Sequence, residues 1–377
     1  MPWQEVSLMS LRSEFVALAG QAGADISRLS TRFGISRKTA YKWLGRAGKD
    51  ELADRSRRPR TSPHQTAMPV AQSVLAARAA HPAWGGRKLR RLLQDRGEAV
   101  VPSASTITAI LRRSGQIDAG QASAHRAFVR FEQPAPNALW QMDFKGHIAT
   151  THDGRCHPFT CLDDHSRFNL GLVACADEQT ATVKQQLIRL FGCYGLPDRI
   201  LCDNGSPWGT AGSGARYSQL GVWLLALGVP LSHGRPHHPQ TQGKDERFHR
   251  TLVAEVLRGR TLTDLAACQH AFDRFRSCYN EVRPHEALAL APPVSRYQVS
   301  PRAYPQTLPA LPYAVGEPVR RVHRQGYIKF QGRTVMLGLA FQGQQVVVRP
   351  TPEDGIWQVC FYHHPVTTID LRSLAPE

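Results

Sequence analysis

The spacing of apolar residues changes near residue 130, and this change constrains the fold more than any single motif. Upstream, apolar side chains recur every three or four residues, as amphipathic helices require. From Trp140 onward they alternate, as half-buried strands require. A chain of 377 residues has room for two or three domains at roughly 100–200 residues each. The expected architecture is therefore multidomain, with an all-helical front followed by an α/β core. With 42% apolar and 20% charged residues, the chain can bury a sizeable core, which excludes wholesale disorder.

Charge follows the same division. Residues 1–130 hold 22 basic against 9 acidic side chains, whereas the remainder is nearly balanced, and the net charge is +17. A polyanion is the implied partner, with double-stranded DNA first in line and the front end as its grip. No stretch approaches the ~18 unbroken apolar residues of a membrane span. Eight cysteines without a CxxC pair, and a start that lacks an apolar leader, read as reduced thiols in a cytoplasm, beside the nucleoid.

In the front end, Ile26, Leu29 and Phe33 line one helix face, Gly34 permits a sharp turn and Ser36 is placed to cap the next helix. That helix turns Ala40, Trp43 and Leu44 inward. Arg37, Lys38, Thr39, Tyr41 and Lys42 are left for DNA, the layout of a helix-turn-helix. A second helical pair follows, with Leu89, Leu92 and Leu93 on one helix and Ile107, Ile110 and Leu111 on the next. There Arg112 and Arg113 are the expected phosphate contacts. The basic run Asp54–Pro63 between the units suits a minor-groove arm or a solvated linker.

Within the alternating region, Asp143 stands opposite the bulky row Trp140, Met142 and Phe144. Asp203 ends a short apolar strand and precedes an Asn204-Gly205 turn, the position beyond a strand's carboxyl end where open α/β sheets place ligands. A helix beginning near Lys244 carries Phe248, Leu252 and Val256 as its apolar stripe. Glu246 lies about 200° from Phe248, on the opposite face with His249 and Arg250. Asp245, about 100° away from Glu246, is the poorer candidate. Asp163 and Asp164 sit at a strand end and read as folding acids. Three gathered carboxylates repel one another unless hard divalent cations neutralise them. Two Mg²⁺ ions, for which Mn²⁺ can substitute, would stabilise both oxygens of an in-line phosphoryl displacement. Asp143, Asp203 and Glu246 are thus the expected catalytic and metal-ligating residues. Lys244, His249 and Arg250, with the loop bearing His237, His238 and Gln242, are placed to touch DNA.

The segments WQMDF, LCDNGSPW and HPQTQGKDERFHRTL, supported by LDDHSRF and YNEVRPHEAL, closely resemble the core motifs of insertion-sequence DDE transposases with a retroviral-integrase-like fold. The gap of 42 residues between Asp203 and Glu246 is somewhat longer than that of integrases, and the integrase His-His-Cys-Cys zinc domain is missing. The resemblance implies a ribonuclease-H-like core in which Asp143 bridges two ions while Asp203 and Glu246 each hold one. It implies cleavage at terminal inverted repeats, then attack of the freed 3′-hydroxyl on target DNA, performed by a homodimer or larger assembly. An inactive DNA-binding regulator and a metal-dependent nuclease are the rival readings.

The expected boundaries are 1–53 for the helix-turn-helix, 54–66 for a basic linker, 67–129 for the second helical unit and 130–295 for the core. A proline-rich linker over 296–312 and a small SH3-like β-barrel over 313–377 complete the chain.

Overall fold

A computed structural model describes residues 8–47, 52–54, 65–117, 132–209, 216–233 and 243–372. The chain divides into two compact units, residues 1–65 and 66–377. Most of the basic arm, the residues that follow the second helical pair and the loop with His237, His238 and Gln242 lie outside the described residues.

The first unit comprises α1 (Leu8–Ala19), α2 (Ile26–Arg32) and α3 (Arg37–Ala47). Asp25 caps α2 through the backbone N–H groups of Ser27 and Arg28, and Gly34 takes φ +64° to turn the chain toward α3. The Ser36 hydroxyl accepts from the Thr39 N–H at 3.2 Å, starting α3 as its sequence requires. Phe15, Ala40 and Trp43 form the small core. The Arg12 guanidinium lies 4.0 Å from the Trp43 ring centroid and donates to the Leu52 carbonyl, tying the segment after α3 back onto α1.

The second unit opens with α4 (Met68–Ala80), α5 (Gly86–Asp95) and α6 (Ala104–Arg113), packed around Trp84, Leu89, Leu93, Ile107 and Leu111. Gly86 is required by close approach. A Cβ there would stand 2.4 Å from the Ala104 carbonyl oxygen and 2.5 Å from Thr108 Oγ1. Gly86→Ala should therefore destabilise the unit by ~1–3 kcal/mol, the usual cost of overpacking, read as a lower midpoint in denaturant. The helices dock on the core through Trp84, whose indole N–H donates to Glu255. The same carboxylate receives the Arg283 guanidinium at 2.9 Å.

The core sheet combines β1 (Trp140–Phe144), β2 (Ile148–Ala149), β3 (Arg155–Asp163), β4 (Asn169–Cys175), β5 (Ile200–Cys202) and β6 (Leu231–His233). Strand β3 pairs antiparallel with β1, β2 and β4, whereas β1, β5 and β6 run parallel, which makes the sheet mixed as expected. Alternation along β1 sends Trp140 and Met142 to the face covered by α7 (Thr180–Tyr194) and α8 (Gln219–Ala226). Gln141 and Asp143 face the other side, where α9 (Gly243–Leu252) and α10 (Leu265–Ser277) pack Phe248, Leu252, Phe272 and Phe275 against β3 and β4.

Two expectations for the C-terminal third are corrected. The start of the segment 296–312 is not a free linker, because polar groups over residues 297–302 have partners on the core. The Tyr297 hydroxyl donates to Asn137 Oδ1, the Ser300 N–H to the Tyr194 carbonyl, and Arg302 to the carbonyls of Pro197 and Gly228. The terminal domain does alternate as strands, but no closed barrel forms among the described residues. Strands β7 (Val319–Arg321), β10 (Gln345–Pro350), β11 (Ile356–Phe361) and β12 (His364–Asp370) make one sheet in the order β12-β11-β10-β7. Strands β8 (Tyr327–Phe330) and β9 (Arg333–Met336) form a separate hairpin. The apolar side of this assembly, including Ile328, Phe341 and Phe361, closes over Val222 and Leu225 of α8, so a core helix supplies the missing wall.

Candidate active site at the ends of two parallel strands

Strands β1 and β5 are neighbours, with Trp140 opposite Ile200 and Gln141 opposite Leu201. Continuing that register brings Asp143 beside Asp203, just past the end of β5. Burial, then the Asp203 charge, push the Asp143 carboxyl up to about 7, although its Oδ1 accepts the Phe144 N–H at 2.8 Å. Asp203 Oδ1 accepts the Gly205 N–H at 3.0 Å, and the His233 Nδ1–H donates to the Asp203 carbonyl at 2.7 Å. The loop after β5 is pinned by Trp208, buried against Phe144 and Phe159. It also folds tightly on itself: a Cβ at Gly209 would lie 2.3 Å from the Asn204 carbonyl oxygen. The Asp203 carboxylate is thereby held on a short, anchored turn.

The first turn of α9 carries the helical acids on two different sides. Glu246 is exposed, away from the buried Phe248 and Leu252. Asp245 is 1% exposed, and neither of its carboxyl oxygens has a hydrogen-bond partner. Burial, followed by the charges of Asp143 and Asp164, drives its pKa far above the usual carboxylate range. The sequence contained a signal for this burial, since residues 245, 248, 249 and 252 repeat at helical spacing and extend the apolar stripe back by one turn. Among the described residues, no three His, Cys, Asp or Glu side chains form a ready metal cage.

Two neighbours expected on a DNA-facing surface are turned inward. His249 is buried on the Asp245 side of the helix. Its Nε2 lies 2.9 Å from Thr160 Oγ1, its Nδ1 lies 3.9 Å from Asp143 Oδ2, and burial lowers its pKa to about 4. Lys244 pairs with the buried Asp164, which also accepts from Gln141 Nε2 at 2.6 Å and the Gln133 N–H at 2.8 Å. A lysine so placed ties the start of α9 to the end of β3. Arg250 remains exposed, as do Arg37, Lys38, Tyr41, Lys42, Arg112 and Arg113; Thr39 is half-buried. Asp163 takes the folding role expected of it. It accepts from the Asn137 N–H, the Ser166 N–H and the Ser166 hydroxyl, closing the corner between β3 and β4.

Sequence comparison places known domains over these elements. The integrase core domain matches residues 133–239, a second integrase core description matches 227–293, and the C-terminal domain of the IS481 family transposases matches 317–376. The chain is a relative of the insertion-sequence DDE transposases. A homeodomain-like domain covers residues 39–111, from α3 to α6. An uncharacterized 31.7 kDa protein of insertion element IS407 from Burkholderia multivorans is 26% identical over 235 residues, spanning 60% of this chain and 81% of that protein. An uncharacterized 39.2 kDa protein of insertion element IS476 from Xanthomonas euvesicatoria is 25% identical over 158 residues, 42% of this chain and 43% of that protein. A simian T-cell lymphotropic virus intasome, solved by cryo-EM in complex with the PP2A regulatory subunit B56 gamma, shares 16% identity at a TM-score of 0.38, covering 79% of this chain and 99% of that one. The integrase core spans include Asp143 and Asp203 in the first match and Glu246 in the second. Among the described residues, no helix is long and apolar enough to cross a membrane.

Proposed function

We propose that this chain is a transposase that binds the terminal inverted repeats of an insertion sequence, cleaves the strand there and transfers the freed 3′-hydroxyl to target DNA. The observation that carries this reading is the Asp143–Asp203 pair at the ends of adjacent parallel strands, inside a domain of the integrase core family. Two carboxylates forced together, one of them already resisting ionisation, are a donor set that suits a hard divalent cation. Asp143, Asp203 and Glu246 would hold Mg²⁺, two ions in the full site, with Mn²⁺ as a substitute. When bound, the metal supplies charge stabilisation for the attacking and leaving oxygens of the displacement. The side chains do the rest. Asp143 and Asp203 set the position of the reacting phosphate, Glu246 closes the site from the first turn of α9, and Lys244 holds that turn through Asp164. His249, kept neutral by burial, orders the Asp143 side through Thr160.

A second reading of the helical ligand has its own observation: Asp245 is the acid on α9 whose oxygens are buried, unpartnered and under the field of Asp143. Glu246 is preferred because it is exposed, where DNA has access, whereas Asp245 is kept neutral by burial.

The exposed face of α3 is the proposed reader of the repeat. Loss of a base contact among Arg37, Lys38, Thr39, Tyr41 and Lys42 should cost ~1–3 kcal/mol and relax specificity at one position. Loss of a phosphate contact should weaken every sequence and lower the salt slope by about one. Quantitative gel shifts on the repeat and on scrambled duplex distinguish the two outcomes.

The reaction itself is tested with a pre-nicked element end carrying a free 3′-hydroxyl, a supercoiled plasmid and Mg²⁺. Covalent joining of the labelled end to the plasmid is expected, abolished by chelator. Repeat-specific nicking without joining would make the protein a nuclease, and repeat binding without either would make it a regulator. Joining two ends in one event calls for a homodimer or larger assembly, to be seen as a sedimenting mass of the DNA complex that accounts for two or more chains.

A further inference from the structure

Where the second helical unit meets the core, an open cleft of about 610 Å³ gathers charge of one sign from separate parts of the chain. Arg87 and Lys88 come from the first turn of α5 and Arg112 from the last turn of α6, both in the helical unit. Arg247 comes from α9, directly after Glu246. The acid lining the cleft is Glu286, which lies 3.1 Å from Arg87 and 3.8 Å from Arg247. Four cations thus face one carboxylate. The side chains of Lys88 and Arg112 have no hydrogen-bond or ion-pair partner among the described residues.

We propose that this cleft binds the phosphodiester backbone of DNA, linking the strand held by the second helical unit to the catalytic turn of α9. The inference rests on the transposase reading and deepens it, by saying where the backbone crosses between the two parts. An excess of three positive charges in a partly enclosed cleft holds a polyanion better than it holds water. Guanidinium groups on both walls offer the paired donors that match phosphate oxygens. Lys88 is under strain that an anion would relieve: burial, then the neighbouring Arg283, lower its pKa to about 8 against the opposing pull of Glu255 and Glu286. Because Arg247 and Glu246 are consecutive, a phosphate seated here lies at a set remove from the reacting one. The spacing between bound repeat and cut site would then be a property of the rigid junction formed by Trp84, Arg283 and Glu255.

A bland alternative is that Arg87 and Arg247 exist only to pin Glu286 and so glue the junction. The two readings predict different outcomes for Glu286→Gln. If the cleft binds backbone, removing the competing carboxylate tightens duplex binding several-fold and steepens its salt dependence. If the charges are glue, the variant binds no better and melts earlier. In parallel, Lys88→Ala/Arg112→Ala in the full chain should lower the salt slope of duplex binding by about two. A single neutral methylphosphonate between the repeat and the cut site should weaken the wild type but not this double variant. Thermal melts confirm folding of each variant, and all binding is measured without metal, so the cleft is read apart from the chemistry. A wild-type protein that joins DNA, alongside a double variant with unchanged slope and unchanged methylphosphonate map, overturns the cleft and leaves the transposase. A folded wild type that binds no duplex overturns both.

Discussion

Asp143→Asn and Asp203→Asn should each abolish the proposed strand cleavage and joining, by about a thousandfold or more, while the variants fold and still bind duplex DNA. The amide keeps the shape of the side chain and removes a charged ligand whose effect on the displacement is worth several kcal/mol, at ~1.4 kcal/mol per tenfold in rate. Glu246→Gln is expected to behave in the same way and Asp245→Asn to retain substantial activity. The reverse result would move the helical ligand to Asp245. Single-turnover assays on a labelled element end, beside gel shifts, supply the readout.

A stability measurement on the metal-free protein gives the same pair an independent test. Asp143 holds its proton up to about pH 7 in the folded chain but releases it near 3.8 when unfolded. Between those values the folded state binds more protons than the unfolded state, so this group makes stability fall as pH rises from 4 to 7. Asp143→Asn removes that fall, and at pH 7 it should be more stable than the wild type by on the order of 2–4 kcal/mol at most. A wild type whose stability rose across this window, with the variant following it, would contradict the buried, repelled carboxyl that the site requires.

Asp163→Ala should be among the most damaging substitutions outside the catalytic set, costing ~3–5 kcal/mol. Its carboxylate is 1% exposed and accepts from Asn137 N–H, Ser166 N–H and Ser166 Oγ, at 2.7, 2.7 and 2.5 Å. Truncation leaves these donors buried without an acceptor, each at a cost of about 1–3 kcal/mol before relaxation. Asp163→Asn keeps one acceptor oxygen and should lose less. Denaturant midpoints rank the three proteins, and equal midpoints for alanine and wild type would show that the corner carries no load. Asp163 opposes Trp140 across β1 and β3, so a loosened corner should also lower activity through the sheet that carries Asp143.

Much of the architecture was legible because local rules and burial agree. Alternation along Trp140–Phe144 was enough to set Asp143 opposite the bulky row, and the sheet keeps that assignment. Helical spacing was enough to separate exposed Glu246 from buried Phe248. Gly34 and Ser36 mark the helix-turn-helix through a positive φ and a cap, which depend on neighbours only a few residues away. What sequence could not supply are distances between segments far apart in the chain. Asp245 and His249 have the composition of a surface, yet α9 lies so close to β1 and β3 that their face of the helix is sealed. Lys244 reads as a free cation until Asp164, 80 residues earlier, is brought against it. The proline-rich stretch 296–312 reads as a linker because partners such as Asn137, Tyr194 and Pro197 are more than 100 residues away. The terminal strands alternate as a barrel would, but among the described residues they form an open sheet and a hairpin whose apolar side packs on α8. Chain-local periodicity determines which face of an element is apolar; only the packed structure decides which element covers it, and with that which polar groups lose their water.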